Sequence, residues 1–296
     1  MRVLVLVIVS FDKPVYYDML RLWRERNNKF DSVNSDVWFI QCKSDAEWVG
    51  DIVNDIGEPL RSSPMTPPPL SLNSQSHSLG SQSHSLGSAS LGSQSLGSAS
   101  LGSQSLCDRF ERDIANKTLF IRGDECLIPG ILHKTVEALS FFLRELRSLR
   151  AQPDGCIIPP YNFIWRTNLS SVLDFEGLQR YLGTINSSGF YGGYVGKTVS
   201  VDENIFFASG AGFLMSRDVA EYLVLNKDSL RWDLIDDVAI GALLEPRYGI
   251  VPIERCWIQS GEEMVGGNGV FHYRCESYQH LRTVEFMQYV IRGLSK

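Results

Sequence analysis

The N-terminal sequence MRVLVLVIVSF constrains the fold of this chain more than any other segment. Its residues are apolar at consecutive positions and mostly β-branched, and the run stops at the polar sequence DKP (12–14). A strand that is apolar on both faces is typical of the interior of a parallel sheet, where helices cover each side. The run is too short to cross a bilayer and lacks the small-residue cleavage site of a signal peptide. It therefore predicts a buried parallel strand in an α/β domain.

The segments after this strand alternate between helical and strand patterns. A helix is expected over residues 14–27, and DVWFIQC (36–42) predicts a second strand. A strand within 117–125, a helix at about 130–150 and an apolar strand within 161–175 follow. Because this βαβ order continues along most of the chain, it predicts a single α/β domain.

Residues 59–106 form a low-complexity insert in this pattern. PMTPPPL (64–70) precedes a run of SLGS units over residues 71–106. Ordering Ser and Gly costs backbone entropy, and one Leu per unit buries too little apolar surface to offset that cost. We therefore expect a disordered surface loop inside one domain that comprises residues 1–58 and 107–296. A binding or adhesive role of the repeat is the alternative.

Charge and composition exclude several classes of partner. The chain carries 28 Lys and Arg residues against 34 Asp and Glu residues, a formal net charge of −6, without a sustained basic run. This balance argues against a surface that binds nucleic acid or anionic lipid, and no later segment is apolar for long enough to span a membrane. The six cysteines are scattered without a C-x-x-C pair, which predicts reduced thiols. We expect a soluble cytoplasmic protein whose partners are small molecules.

Two adjacent aspartates, Asp236 and Asp237, interrupt the apolar helical pattern of WDLIDDVAIGALL (232–244). The spacing of the apolar residues places both in the first turn of a helix, where free backbone N–H groups and the helix dipole stabilise a carboxylate. Consecutive helical residues point about 100° apart, so the two side chains cannot share one role. One can cap the helix while the other faces a pocket and takes a proton from a hydroxyl group.

Polar residues and glycines at two further positions indicate where a ligand could bind. The apolar strand YNFIW ends in the polar residues RTN (166–168), and ligands of α/β sheets bind at such strand ends. Further along, ASGAGFLMS contains Ser209, Gly210 and Gly212. Because this run has almost no side-chain bulk, its backbone can closely approach a ligand or another element of the fold.

The order of these motifs resembles that of inverting GT-A glycosyltransferases of the β-1,3-galactosyltransferase and Fringe type. In that family a strand-end acidic motif, a glycine-rich SGGGY-LS-D segment and an EDV--G helix occur in this order. The matching segments here are the strand end, SGAGFLMSRD and IDDVAIG, and the resemblance covers roughly residues 117–275. The short chain, the serine-rich repeat and the lack of a membrane anchor are similar to the soluble glycosyltransferases of large algal DNA viruses, some of which are xylosyltransferases.

The resemblance implies a GT-A domain, which is a Rossmann-like nucleotide-sugar-binding fold, and a transfer that inverts the anomeric carbon. Asp237 matches the family's general base. Asp236 matches its variable acidic neighbour, for which we expect a capping role at the edge of the acceptor pocket. Ser209, Gly210 and Gly212 are expected to surround the sugar and the acceptor. The viral resemblance implies the host cytoplasm as the location.

The metal-binding motif of the family is altered in this chain. Its D-x-D carboxylates hold a divalent cation on the donor diphosphate, whereas Asn168, Leu169 and Ser170 occupy these positions here. An amide and a hydroxyl are weaker ligands for Mn²⁺ or Mg²⁺ than carboxylates. One expectation is a weak metal site at Asn168 and His272. The other is direct diphosphate binding, for which the candidate residues are Arg166, Asn168, Ser170 and His272.

Two further groups are candidates at this site. His272 in FHYR matches a late histidine that reaches the metal or the diphosphate in the family, although a histidine between aromatic residues is equally typical of a packed core. Arg274 would point the same way from a strand and form a cationic pair with His272. The carboxylates of GDE (123–125) lie at another predicted strand end, and they can hold a metal or cap the next segment.

We therefore predict an inverting glycosyltransferase that moves a sugar from a nucleotide sugar, such as UDP-xylose or UDP-galactose, to a hydroxyl group of a glycan or glycoprotein. The first alternative is a non-catalytic sugar-binding or scaffold protein on a degenerate GT-A fold. The second alternative is a nucleotidyltransferase. That class would carry a glycine-rich phosphate loop after the first strand, and VSFDKP is not such a loop.

Deleting residues 71–106 and closing the gap with a short flexible loop should leave folding and activity nearly unchanged, because the repeat cannot contribute a core. The measurements are the Tm and the turnover of the shortened protein beside those of the full chain. A fall in Tm of more than about 5 °C, or lost turnover, would show that the repeat packs against the domain or takes part in its function.

Overall fold

The computed structural model of the chain describes residues 1–10, 13–29, 34–44, 109–149, 161–198, 204–263, 265–266, 269–275 and 282–295. The insert at 59–106 lies outside these residues, so its predicted disorder stays a prediction. The elements in chain order are β1 (Val3–Ile8), α1 (Val15–Lys29), β2 (Ser35–Lys43), β3 (Phe110–Asp113), β4 (Thr118–Arg122), α2 (Gly130–Leu149), β5 (Phe163–Asn168), β6 (Ser171–Leu173), α3 (Phe175–Leu182), β7 (Tyr191–Lys197), β8 (Phe206–Ser216), α4 (Arg217–Leu225), α5 (Asp236–Tyr248), β9 (Val251–Pro252), β10 (Cys256–Trp257), β11 (His272–Arg274) and α6 (Thr283–Leu294).

A large, mostly parallel sheet forms the centre of the molecule. Its strand order is β3-β4-β2-β1-β5-β8-β7-β9. The strands β4, β2, β1 and β5 are parallel, while β3 and β8 run antiparallel to their neighbours. The α/β fold class is confirmed, and the sheet is compatible with a Rossmann-like fold.

The central strand β1 is buried on both faces, as its sequence predicts. Val3, Val5 and Val7 belong to one core, to which α1 and α6 contribute. Leu4 and Leu6 belong to a second core, to which α2, α4 and α5 contribute. Alternate side chains of a strand point to opposite faces, so helices cover both faces of the sheet and the chain forms three layers.

The predicted helices and strands lie close to their expected bounds. The helix predicted at 14–27 is α1, the strand at 36–42 is β2 and the helix at about 130–150 is α2. The strand predicted within 117–125 ends earlier, at Arg122 in β4, where the chain turns away through Gly123. None of the helices in the described ranges is long and apolar enough to span a bilayer.

The apolar strand predicted within 161–175 is confirmed, and it ends at the polar residues 166–168 as expected. The sequence does not predict that the chain then changes sheets after Asn168. β5 ends at this residue in the main sheet, and β6 joins a second, three-stranded sheet of order β10-β11-β6. Leu169 and Ser170 form the turn between them. Ser171 of β6 pairs with Arg274 of β11, so the change of sheet brings a distant strand beside the end of β5.

The carboxyl ends of β1 and β5 define the place where a ligand can bind. In the sheet, β2 lies on one side of β1 and β5 lies on the other side. Ile8 and Asn168, the last residues of β1 and β5, are partners in the parallel register. Ligands of open α/β sheets bind in the crevice beyond the strand ends at such a change of direction.

Candidate active site

A cavity of about 430 Å³ lies at the carboxyl ends of β1 and β5. It is bordered by the ends of these two strands, the middle of β8, the start of α5, and β10 and β11 of the small sheet. The residues that line it are Ile8, Ser10, Tyr16, Leu127, Ile131, Arg166, Asn168, Leu169, Ser170, Ser209, Gly210, Ala211, Ile235, Asp236, Asp237, Arg255, Trp257 and Arg274. Most of the residues proposed from sequence therefore meet in one place.

Arg166 of β5 joins three elements at the base of this cavity. Its side chain is 3% exposed, and its Nη2 donates to the carboxylate of Asp236 at the start of α5. Its Nη1 donates to the carbonyl oxygen of Gly210 in β8. These contacts engage both terminal nitrogens with protein groups, so Arg166 positions other residues of the cavity.

The expected capping role of Asp236 is wrong. The residue before α5 that occupies the cap position is Ile235, which offers no side-chain hydrogen bond, and Asp236 is the first residue of the helix. Its carboxylate is nearly buried and turns to Arg166. A buried guanidinium without a carboxylate partner is far more costly than an uncapped N–H group at a helix start, which explains the choice of partner.

Asp237 presents the second carboxylate of the pair to the cavity. Its Oδ2 accepts a hydrogen bond from the backbone N–H of Gly210 at 2.7 Å, and its Oδ1 accepts one from Val238 at 2.9 Å. Burial raises the pKa of Asp237 above its ordinary value, and the charge of Asp236 adds to this rise. The two N–H groups and Arg166 oppose it. The balance favours a carboxylate that binds protons more tightly than an exposed aspartate.

The glycine run of β8 divides between the cavity and the core. Ser209 and Gly210 line the cavity, as expected. Gly212 does not: a Cβ atom there would lie 2.6 Å from the ring of Trp165 and 2.7 Å from that of His272. The expectation that Gly212 borders the sugar pocket is therefore wrong, because the close approach that it permits is to core side chains.

An arginine contacts the polar side chains at the altered strand end. Nη1 of Arg274 donates to Asn168 Oδ1 and to Ser170 Oγ, both at 2.6 Å. Asn168 Oδ1 also accepts hydrogen bonds from the hydroxyl groups of Ser170 and Ser171 at 3.2 Å. Both oxygens that the sequence offers as metal ligands therefore have a guanidinium beside them.

His272 lies behind the cavity wall and does not line it. It is 1% exposed, its Nε2 is 3.3 Å from Ser171 Oγ, and its ring meets Trp165 edge-on. Burial, together with the nearby charges of Arg255 and Arg274, lowers the pKa of His272 to about 3. The imidazole is therefore neutral at pH 7, and the expected cationic pair of His272 and Arg274 is wrong.

The donor atoms around the strand end do not fit a divalent cation in this arrangement. A hard cation prefers several charged oxygens, whereas Asn168 and Ser170 are neutral and hydrogen-bonded to Arg274. Among the described residues there is no group of three or more His, Cys, Asp or Glu side chains that could hold a metal ion. The prediction of a weak Mn²⁺ or Mg²⁺ site thus has no suitable ligand set at Asn168 and His272.

Of the two carboxylates in residues 123–125, that of Glu125 has structural partners. Glu125 forms an ion pair with the buried Lys134 at 2.6 Å and accepts the backbone N–H of Cys42 at 3.1 Å. Neither Asp124 nor Glu125 lines the cavity. Glu125 therefore holds β2 and the next helix together through these contacts, and neither of them is a cap of the next segment.

The sequence patterns do not identify two residues that line the cavity, Arg255 and Trp257. Arg255 donates to Ser209 Oγ at 3.0 Å, and its guanidinium carbon lies 4.0 Å from the ring centre of Tyr194 and 5.1 Å from that of Trp257. Trp257 lines the cavity and is 45% exposed. Nothing in the sequence VPIERCWIQ (251–259) marks them, because their position depends on the pairing of Trp257 with Arg274 in the small sheet.

No protein-family model matches this chain, and no curated protein sequence matches it significantly. The resemblance of the motif order to inverting GT-A glycosyltransferases therefore stays a prediction.

Asp236→Asn should destabilise the protein by about 3 kcal/mol, since it leaves the buried charge of Arg166 without its counter-ion. The measurement is denaturant unfolding of the variant beside wild type. Asp233→Asn, at an exposed position near the same helix, is the matched control and should change stability little. A loss below about 1 kcal/mol for Asp236→Asn would fit a replaceable helix cap and contradict the role of the ion pair.

Gly210→Ala should mainly reduce turnover, whereas Gly212→Ala should mainly reduce stability. At Gly210 a Cβ atom would lie 3.1 Å from Arg166 Nη1 and 3.2 Å from Asp237 Oδ2, so the polar groups must shift slightly and turnover should fall at least about tenfold. At Gly212 it would press on two buried rings, so the free energy of unfolding should fall by about 1–3 kcal/mol. Turnover and Tm are measured for both variants. Equal losses of turnover and of Tm in the two variants would contradict the assignment of Gly210 to the cavity and Gly212 to the core.

Proposed function

We propose that the chain is an inverting glycosyltransferase that transfers a sugar from a nucleotide sugar to a hydroxyl group of a saccharide acceptor. The observation that carries the proposal is the partly buried carboxylate of Asp237 at the wall of a cavity beyond the ends of β1 and β5. A raised pKa makes this carboxylate a better proton acceptor than an exposed aspartate. The order of the motifs in sequence agrees with a GT-A domain.

The reaction assigns Asp237 the role of general base. The acceptor hydroxyl attacks the anomeric carbon and gives its proton to Asp237, while the bond from that carbon to the nucleotide diphosphate breaks. Asp236 cannot share this role, since its carboxylate is bound to Arg166. One base and one displacement invert the configuration of the anomeric carbon.

The aromatic wall of the cavity suits a saccharide acceptor. Trp257 is exposed at the cavity, and the guanidinium of Arg255 contacts its ring and that of Tyr194. Ligand sites combine such apolar surfaces with a few fixed polar groups, and a sugar ring offers both a C–H face and hydroxyl groups. Through Ser209 and Gly210, this wall is continuous with Asp237.

The proposal is tested by incubating the protein with a panel of nucleotide sugars, UDP-xylose and UDP-galactose among them, and measuring released nucleotide diphosphate. Release with one donor, increased by a saccharide acceptor, is expected. Binding of a nucleotide sugar without release would favour a non-catalytic sugar-binding protein. Release of pyrophosphate from a nucleoside triphosphate and a sugar phosphate would favour a nucleotidyltransferase.

Asp237→Asn should reduce transfer about 10³-fold while donor binding survives, because the amide keeps the shape of the side chain but cannot accept the proton. The folded state binds a proton at Asp237 more tightly than the unfolded chain does, so ionisation of this carboxyl costs stability as the pH rises through the raised pKa. The variant should therefore be at least as stable as wild type at pH 7. Retained transfer in a folded Asp237→Asn protein would exclude Asp237 as the base.

The pH dependence of kcat/KM gives an independent check on Asp237. The reacting form is the carboxylate, so the rate should fall as the pH decreases through the pKa of Asp237. Because this pKa is raised, the fall should begin above about pH 4, the ordinary range of an aspartate. Rates are measured from pH 4 to pH 8 with Tm recorded at each pH, and a constant kcat/KM over this range in the folded protein would contradict the assignment.

A further inference from the structure

Three arginines line the cavity, and they differ in what they contact. Arg166 binds the carboxylate of Asp236 and the carbonyl oxygen of Gly210. Arg255 and Arg274 lie at the small sheet, where Arg255 donates to Ser209 Oγ and Arg274 donates to Asn168 Oδ1 and Ser170 Oγ. Arg166 therefore holds β5, β8 and α5 together, whereas Arg255 and Arg274 belong to the wall of the cavity that the small sheet forms.

Arg274 is held at the end of β5 by two short hydrogen bonds. A single nitrogen, Nη1, makes both of them, to Asn168 Oδ1 and Ser170 Oγ at 2.6 Å. A guanidinium has five N–H donors in a rigid plane, and its geometry matches two oxygens of a phosphate group. The side chain is thus oriented before a ligand arrives, which reduces the entropy lost on binding.

Arg255, which directly precedes β10, is oriented by different groups. Its Nη1 donates to Ser209 Oγ at 3.0 Å, and the rings of Tyr194 and Trp257 lie against its guanidinium. Trp257 pairs with Arg274 in the small sheet. Arg255 lies two residues before Trp257 in the chain. Both arginines line the same cavity, and the buried His272 lies behind its wall. Two cations are thus held at one cavity.

The chemistry of this wall suits an anion and disfavours a cation. The oxygens of Asn168 and Ser170 are the ligands that the strand end could offer a metal, and Arg274 donates to both. A dication at these oxygens would lie beside a guanidinium, whereas a phosphate oxygen could accept hydrogen bonds from the same group. The cavity volume of about 430 Å³ is within the range of small-molecule sites.

We propose that Arg274 and Arg255 form a diphosphate-binding site that does not require a metal ion. The choice of a nucleoside diphosphate as the ligand rests on the proposed function, but the binding of the diphosphate group itself does not. In transfer, the bond from the anomeric carbon to the diphosphate oxygen breaks and its electron pair stays on that oxygen. The acceptor oxygen bonds to the anomeric carbon and its proton passes to Asp237. The two guanidinium groups stay protonated and stabilise the charge that the leaving diphosphate gains.

The test is isothermal titration calorimetry of the full chain with inorganic pyrophosphate and with UDP, in excess EDTA and then with added Mn²⁺. Wild type should bind both ligands in EDTA, and Mn²⁺ should change the affinity less than about threefold. Arg274→Ala should weaken binding roughly 10- to 100-fold, the usual loss for a charged hydrogen-bond partner. Arg274→Lys should lie between the two, since it keeps the charge but loses the planar fork.

Arg180→Ala is the matched control, because Arg180 is a largely exposed arginine of α3 that does not line the cavity. It should bind pyrophosphate as wild type does. Circular dichroism and Tm of each variant establish that it is folded, and Arg255→Ala provides a second variant if Arg274→Ala does not fold. Its binding should weaken in the same way.

Binding that appears only when Mn²⁺ is added, or unchanged affinity in the folded Arg274→Ala and Arg255→Ala variants, would overturn the proposal. The two proposals fail separately. Pyrophosphate binding through Arg274 without turnover of any donor would leave this site in place and remove the glycosyltransferase. Turnover that needs Mn²⁺ and is insensitive to Arg274→Ala would leave the glycosyltransferase in place and remove the metal-independent diphosphate site.

Discussion

The buried ion pair between Arg166 and Asp236 is the contact on which the arrangement of the cavity depends. It crosses from the end of β5 to the first residue of α5, and the same guanidinium binds the backbone of β8 at Gly210. Removing two charges from water costs several kcal/mol, so such a pair contributes little net stability. It specifies position instead. Once Arg166 is buried, α5 must begin where its first residue can reach the guanidinium.

The position of Asp237 follows from that constraint. With Asp236 turned to Arg166, the next residue of the helix faces Gly210 and the cavity. The described residues that line the cavity include only these two carboxylates, so one proton acceptor remains for chemistry. A single base suits a direct displacement, whereas a retaining transfer through a covalent intermediate would use a second carboxylate as its nucleophile. If the chain is the glycosyltransferase that we propose, the two carboxylates of the described cavity are therefore those of an inverting transfer.

The sequence predicts the fold better than it predicts the partners of the polar side chains. The burial of β1 follows from an apolar run, and α1, β2 and α2 follow from periodic patterns, because these are local properties of the chain. The change of sheet after Asn168 depends on pairing with β11, about a hundred residues later, and no local pattern carries that information. For the same reason the positions of Arg255 and Trp257 could not be predicted.

The site residues show the same limit. The helix-start pattern predicts a role for one of Asp236 and Asp237, the resemblance selects Asp237, and the strand-end pattern indicates residues 166–168. Asp237, Arg166 and Asn168 do meet at one cavity. The partners of Asp236, Gly212 and His272 are each long-range: an arginine 70 residues away for Asp236, and core rings or a serine for the other two. Local rules favour a cap at Asp236 and a ligand loop at Gly212, and tertiary packing overrides both. The ligand role of His272 is implied only by the resemblance, whereas the alternative of a packed core histidine agrees with its burial.

The most direct measurement is the anomeric configuration of the transferred sugar, determined by proton NMR on the product of the donor that the protein turns over. A direct displacement with Asp237 as the only base predicts that the product has the configuration opposite to that of the donor, from the first turnover onward. A product that retains the configuration of the donor would contradict the assignment of one base and one displacement, and would require a second nucleophile in the cavity.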